Sequence, residues 1–209
     1  MFGGLFRDRS ARRTASSPSE EGSERDPFSS VLHIDSEQIY LRPLSPEDAE
    51  AMFAYASDPQ VTRYLPWEPA ESVDSVRPFL MEQAHRRQRK ESLGFAIVLK
   101  EDDGMIGSTD LMDLFRARGQ AELGYLLARP YWGQGIMTEA ARLTLTHGFG
   151  PMKLIRIVAF ADVDNRGSRR VLEKVGMRVS GSEIRTVHGE GRLYIRYEIK
   201  RADWFALQK

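Results

Sequence analysis

The chain contains no cysteine. Disulfides, thiolate metal sites and a cysteine nucleophile are therefore excluded. Its four histidines are scattered and do not fall at metal-ligand spacing, so no metal is expected. No apolar run is long enough to span a bilayer, and the first residues, Met1 to Arg7, lack the apolar core of a secretory signal. Net charge is also missing: 30 basic residues balance 30 acidic ones, which gives no argument for nucleic acid or an anionic membrane as partner. A soluble, cytoplasmic protein is expected. Its 41% hydrophobic and 29% charged residues are ordinary for a globular chain, and 209 residues suffice for one large domain.

Residues 1–30 are rich in Ser, Arg, Glu and Gly. They carry too little apolar surface to offset the entropy of ordering, and read as a disordered tail before a single domain over 31–209. In that domain Ile39 to Leu44 reads as a strand, and Ser45-Pro46 opens a helix with Ala49, Met52, Phe53 and Ala56 as its apolar stripe. A second helix is expected from about Ser72 to Lys90, with Val76, Phe79, Leu80 and Ala84 inward. Leu93–Leu99 and Met105–Leu111 flank the Asp-Gly turn at 103–104 and read as a hairpin. Leu154–Phe160 is nearly continuous in apolar residues, which suits a central strand covered on both faces. The last strands are expected at Met177–Arg185 and Arg192–Ile199. The pattern is one mixed α/β domain, with antiparallel hairpins first and a strand–helix–strand crossover later.

The stretch from Trp132 to Ala141 carries the strongest chemical signal. A strand containing Glu122 precedes it, Gly133 and Gly135 bracket Gln134, and an apolar helical pattern follows at once. A helix start offers unpaired N–H groups and the positive end of the peptide dipole, and glycines let the backbone approach a phosphate. From the glycines alone, an ordinary strand-to-helix turn fits equally well. No Gly-Lys-Ser/Thr ends the turn, so it is not a P-loop, and the Rossmann glycine spacing is absent.

Three runs in order, Glu122-Leu-Gly-Tyr-Leu-Leu, Tyr131-Trp-Gly-Gln-Gly-Ile-Met-Thr-Glu-Ala and Asp164-Asn-Arg-Gly-Ser-Arg-Arg-Val-Leu-Glu-Lys-Val-Gly-Met, resemble the GNAT superfamily of acetyl-CoA-dependent N-acetyltransferases. More narrowly, they are similar to its Rim-type branch, named for ribosomal-protein N-acetyltransferases. The resemblance spans roughly Ile39 to Lys200. It implies a mostly antiparallel sheet of about six to seven strands, splayed at a cofactor cleft and flanked by about four helices. It also implies acetyl-CoA as co-substrate and an amine acceptor as partner, either a protein N-terminus or a small amine, in a monomer or homodimer. In the family's phosphate motif, Trp132 fills a slot usually held by Gln or Arg, and Met137 one usually held by a small residue.

By the same resemblance, the coenzyme is bound by Tyr125, Leu126 and Leu127 on the strand and by Gly133, Gln134, Gly135, Ile136, Met137 and Thr138 at the turn. Asn165 would meet the pantetheine, or serve only as a helix N-cap. Ser168 would stand near the sulfur, or be an ordinary surface serine in the first turn of a helix. Acyl transfer also needs donors for the oxyanion, for which the N–H near Leu126 is the natural candidate. It needs a base for the amine, and Glu122 is the first candidate; pairing with an arginine is its other reading. The family's alternative glutamate has no counterpart in register, and His188 or Glu190 are substitutes that also read as plain surface residues. Tyr64, Leu65 and Trp67 either line the amine pocket or pack the core. A non-catalytic module that senses acyl-CoA would need the cradle but no base, and stands as the alternative function.

Overall fold

The computed structural model describes residues 26–29, 32–115 and 118–208. In chain order the strands are β1 (Ile34–Asp35), β2 (Ile39–Pro43), β3 (Leu93–Leu99), β4 (Met105–Phe115), β5 (Gln120–Leu127), β6 (Arg156–Asp162), β7 (Arg178–Val187) and β8 (Glu190–Lys200). The helices are α1 (Ala49–Ala56), α2 (Pro59–Thr62), α3 (Val73–Gln88), α4 (Ile136–Phe149), α5 (Arg166–Lys174) and α6 (Arg201–Ala206). The fold class is the expected one, with eight strands and six α-helices among the described residues, a little more than expected. The added elements are short: the two-residue β1 and the four-residue α2.

All eight strands form one sheet in the order β1-β2-β3-β4-β5-β6-β8-β7. Neighbours are antiparallel except β5 and β6, which run parallel and pair only from Gln120 to Glu122. Beyond Glu122 the two strands part. The crossover between them holds α4, as a parallel connection requires.

Local chemistry sets the element boundaries. Ser45 and Asp48 form a capping box with Pro46 in the first turn, and Arg42 grips the Asp48 carboxylate at 2.9 and 2.6 Å. Ser72 and Ser75 cap α3 in the same reciprocal way. On α3 the stripe Val76, Leu80 and Gln83 is buried, but Phe79 is 47% exposed and does not point inward. The buried stripe is narrow and passes it by. On α1 the fourth buried residue is Tyr55, while Phe53 is only half-buried.

The sheet separates two packed layers. Leu111, Leu123, Leu145, Phe149, Ile157, Leu172 and Tyr197 bring α4 and α5 onto one face. Leu44, Met52, Tyr55, Val76 and Leu80 bring α1 and α3 onto the other, against Ala96 and Val98. β6 differs from its expected double coverage. Ile157, Ala159 and Ala161 are buried, whereas Arg156, Val158 and Phe160 are half-buried, so the strand alternates and begins at Arg156. Phe160 is covered on its open side by the Arg185 guanidinium, 3.7 Å from the ring centre.

Most of the expected N-terminal tail lies outside the described residues. The part that is described lies against the body: His147 Nε2 meets the Pro27 carbonyl at 2.9 Å, and Lys90 stands 3.6 Å from the Asp26 carboxylate.

Candidate active site

The parting of β5 from β6 creates the site. Ala128 N–H bonds Ile106 O at 2.8 Å, and the β4–β5 register follows from that pair. Even-numbered residues of β5 therefore turn their main-chain groups to β4, and Tyr125 and Leu127 turn theirs into the gap. The Leu126 carbonyl, close against Gly107, lies on the β4 side. The amides flanking Leu126 are thus the ones exposed to the gap. The Leu127 carbonyl is already taken by the Trp132 indole N–H at 2.7 Å. Trp132 in its slot therefore ties the turn to the strand.

The turn has the shape of a cradle. Gly133 and Gly135 have φ of +77° and +88°, which L side chains resist, and a Cβ built on either would meet nothing within 4 Å. Open space lies where those side chains would be. Gly135 caps α4 without a side chain to give, and the first helical bond is Glu139 N–H to Gly135 O at 3.1 Å. The amides ahead of it lack a capping acceptor, an arrangement that favours an anion. The Gln134 amide pins the turn from behind by donating to the Pro130 carbonyl at 2.8 Å.

A cleft of about 570 Å³ opens from this turn along the gap. Tyr125, Leu126, Leu127, Gly133, Gly135, Met137, Thr138, Asn165, Ser168 and Tyr64 all line it. Ile136 is buried beneath the turn and Gln134 faces away, so only their main chains can serve the cleft. Four cations also border it: Arg63, Arg166, Arg170 and Lys174. They were missed in the sequence, though Arg166, Arg170 and Lys174 recur every fourth residue and so share one face of α5. An open cradle, unpaired amides and four cations fit a long polyanion such as coenzyme A.

At the start of α5, Asn165 Oδ1 accepts the Ser168 N–H at 3.0 Å and is a helix cap. Ser168 Oγ lies 2.9 Å from the Tyr125 hydroxyl. Trp67 is 40% exposed and does not line the cleft. His188, with φ +50° in the two-residue turn between β7 and β8, pairs instead with Glu68. Tyr64 is held by its main-chain carbonyl, which accepts from the Tyr194 hydroxyl, and by its own hydroxyl, 3.4 Å from the Asp164 carbonyl.

Glu122 stands at the fork itself, opposite Val158 of β6 and short of the cleft lining. It is partly buried and has an arginine partner. Burial raises its pKa, and Arg185, 3.5 Å away, opposes that rise without cancelling it. A second carboxyl, absent from the sequence reading, shares the face. Asp110 pairs across the ladder with Gly124, and a Cβ on Gly124 would fall 2.4 Å from its Oδ1. Burial, then the nearby Glu122 charge, push Asp110 up to about 7, against a bond from the Gly124 amide. A glycine inside a strand was the only signal for it. Among the described residues, no group of three His, Asp or Glu side chains is placed to hold a metal ion, and no helix is long and apolar enough to cross a membrane.

A sheet forked beside a glycine turn, with a carboxylate at the fork, is the arrangement that the GNAT resemblance implies. Residues 38–178 match the family model described as an acetyltransferase (GNAT) domain, and the chain belongs to that family of acetyl-CoA-dependent N-acyltransferases. It is 34% identical to the probable N-acetyltransferase YjcK of Bacillus subtilis, over 73% of this chain and 87% of that one. It is 29% identical to the putative ribosomal N-acetyltransferase YdaF of the same organism, over 80% and 94%, in line with the Rim-type resemblance. The spermidine N(1)-acetyltransferase of Escherichia coli is 24% identical over 82% and 90%. A solved GNAT acetyltransferase from Bacillus anthracis superposes with a TM-score of 0.73 at 28% identity, covering 82% and 99%.

Proposed function

We propose that the chain transfers an acetyl group from acetyl-CoA to a primary amine by direct attack within a ternary complex. The acceptor class is a peptide or protein α-amine or a small amine. The observation that carries this reading is the fork just beyond Glu122, where β5 leaves β6 and turns the Tyr125 and Leu127 main chains toward the cleft. Acetyl-CoA supplies an activated thioester when bound. The chain has no cysteine to carry an acyl group, which favours direct attack.

The turn amides from Gly133 to Thr138 hold the diphosphate, with Arg166, Arg170 and Lys174 adding charge. The exposed edge of β5 orients the pantetheine, and Asn165 and Ser168 close the opposite wall. The Tyr125 and Leu127 amides are the donors for the oxyanion. Glu122, directly or through water, removes the proton from the attacking amine. Its raised pKa makes it a stronger base than an ordinary carboxylate. Arg185 holds the carboxylate at the fork and limits its rise. Tyr64 borders the acceptor entrance. Trp67 and His188 lie farther out, where only a large acceptor would touch them.

Thiol release from acetyl-CoA, screened against N-terminal peptides, amino acids, polyamines and aminoglycosides, tests this reading. Amine-dependent release that falls in Glu122→Gln supports it. Tight acetyl-CoA binding with no release for any amine would instead favour a sensing module.

A further inference from the structure

Tyr125 enters the proposed function only through its main chain. Its side chain points to the opposite wall of the cleft, and there it makes one specific contact. The hydroxyl lies 2.9 Å from Ser168 Oγ and 3.1 Å from the Ser168 carbonyl. Both residues line the cleft. The contact therefore links the strand edge to the first turn of α5 at the cleft wall. The Asn165 cap on the Ser168 amide fixes the serine backbone at the same point.

We propose that Tyr125 is a positioning residue for acetyl transfer: its hydroxyl orients the Ser168 proton onto the departing coenzyme sulfur. The inference rests on the acetyltransferase reading above. Each hydroxyl has one proton to give. If Tyr125 donates to Ser168 Oγ, the serine proton is free to point into the cleft. If Tyr125 donates to the Ser168 carbonyl, the serine proton is free to turn back to the phenol. An anionic sulfur in the cleft selects the first arrangement, because each proton then has an acceptor and the bond to sulfur is charge-assisted. Burial raises the Tyr125 pKa, against the bond to Ser168, which lowers it. The phenol therefore stays protonated and acts as a donor, not as a source of protons.

The step balances as follows. The amine nitrogen forms the new C–N bond, and its proton leaves to the base. The C–S bond breaks, and the sulfur keeps the electron pair. Ser168 holds that charge by a hydrogen bond while its own proton stays on oxygen, and solvent protonates the thiol after release. No other co-reactant is needed.

Calorimetric titration with coenzyme A and with desulfo-coenzyme A, at pH 9, isolates the contact without turnover. The wild-type chain is expected to favour coenzyme A by about tenfold, the size of a charge-assisted hydrogen bond. Tyr125→Phe should cut that preference, read as the ratio of the two affinities, to about threefold or less. Ultraviolet absorbance of the bound thiolate should give a higher thiol pKa in Tyr125→Phe than in wild type. Ser168→Ala keeps the test open if Tyr125→Phe folds poorly. It should abolish the preference, and adding Tyr125→Phe to it should change nothing further. A wild-type preference retained in Tyr125→Phe would overturn the inference and leave the acetyltransferase reading standing. Failure of a folded wild-type chain to bind either coenzyme would overturn both.

Discussion

The two sides of the fork are built from different materials. The proposed coenzyme side is made of main chain: glycines at φ +77° and +88°, a helix start and the free edge of β5, contributed mainly by residues 125–138. The proposed acceptor side is made of side chains brought from distant segments. Glu122 on β5 meets Arg185 on β7, Asp110 reaches across from β4, and Tyr64 is tied to Tyr194 and Asp164. A main-chain site needs a local conformation, which a few residues dictate. A side-chain site needs tertiary register, which no single stretch contains.

Substitutions on the two sides should differ accordingly. The largest effect is expected at Gly135. Gly135→Asp places a side chain and a like charge in the open cradle, and should weaken acetyl-CoA binding by about 100-fold or more in calorimetry. Folding should survive, since nothing crowds the position and Asp tolerates positive φ at a cost of about 1 kcal/mol. Glu122→Gln should do the opposite: coenzyme affinity kept, and kcat lowered by about 10²–10³, as loss of a general base does. Equal effects of both substitutions on coenzyme affinity would erase the division between the sides.

Smaller effects sharpen the acceptor side. Arg185 lowers the Glu122 pKa, so Arg185→Met should move the acid limb of kcat/KM to higher pH, modestly because the pair is partly exposed. A limb that stays in place would remove Glu122 as the titrating base. The smallest effect concerns stability. The folded pKa of Asp110, about 7, lies above its unfolded value near 3.9. Between those values the unfolded chain loses the proton and the folded chain keeps it, so this group's contribution to stability is lost as pH rises from about 4 to 7. Asp110→Asn should therefore melt at a higher temperature than wild type near pH 8, with the gap closing toward pH 4.

The same division governs what the sequence reveals. Gly133, Gly135 and the helix behind them are legible because turn, cap and helix period are local. The cleft lining at Tyr125, Leu127, Met137, Thr138, Asn165 and Ser168 follows from them and from the family resemblance. The pairing of Glu122 with Arg185 spans 63 residues and depends on how the β7–β8 hairpin lies beside β6. Asp110 gave no signal of its own, because only the register opposite Gly124 makes it a half-buried neighbour of Glu122. Phe79 read as core because helical spacing marks a face without giving its width. β6 read as doubly covered because an apolar run does not show that an arginine covers one side.

A crystal structure of the chain with acetyl-CoA tests the central claim most directly. The account predicts the diphosphate on the amides between Gly133 and Thr138, with the thioester in the gap beside Tyr125 and Leu127. Coenzyme density on any other surface, with the glycine turn left bare, would contradict it.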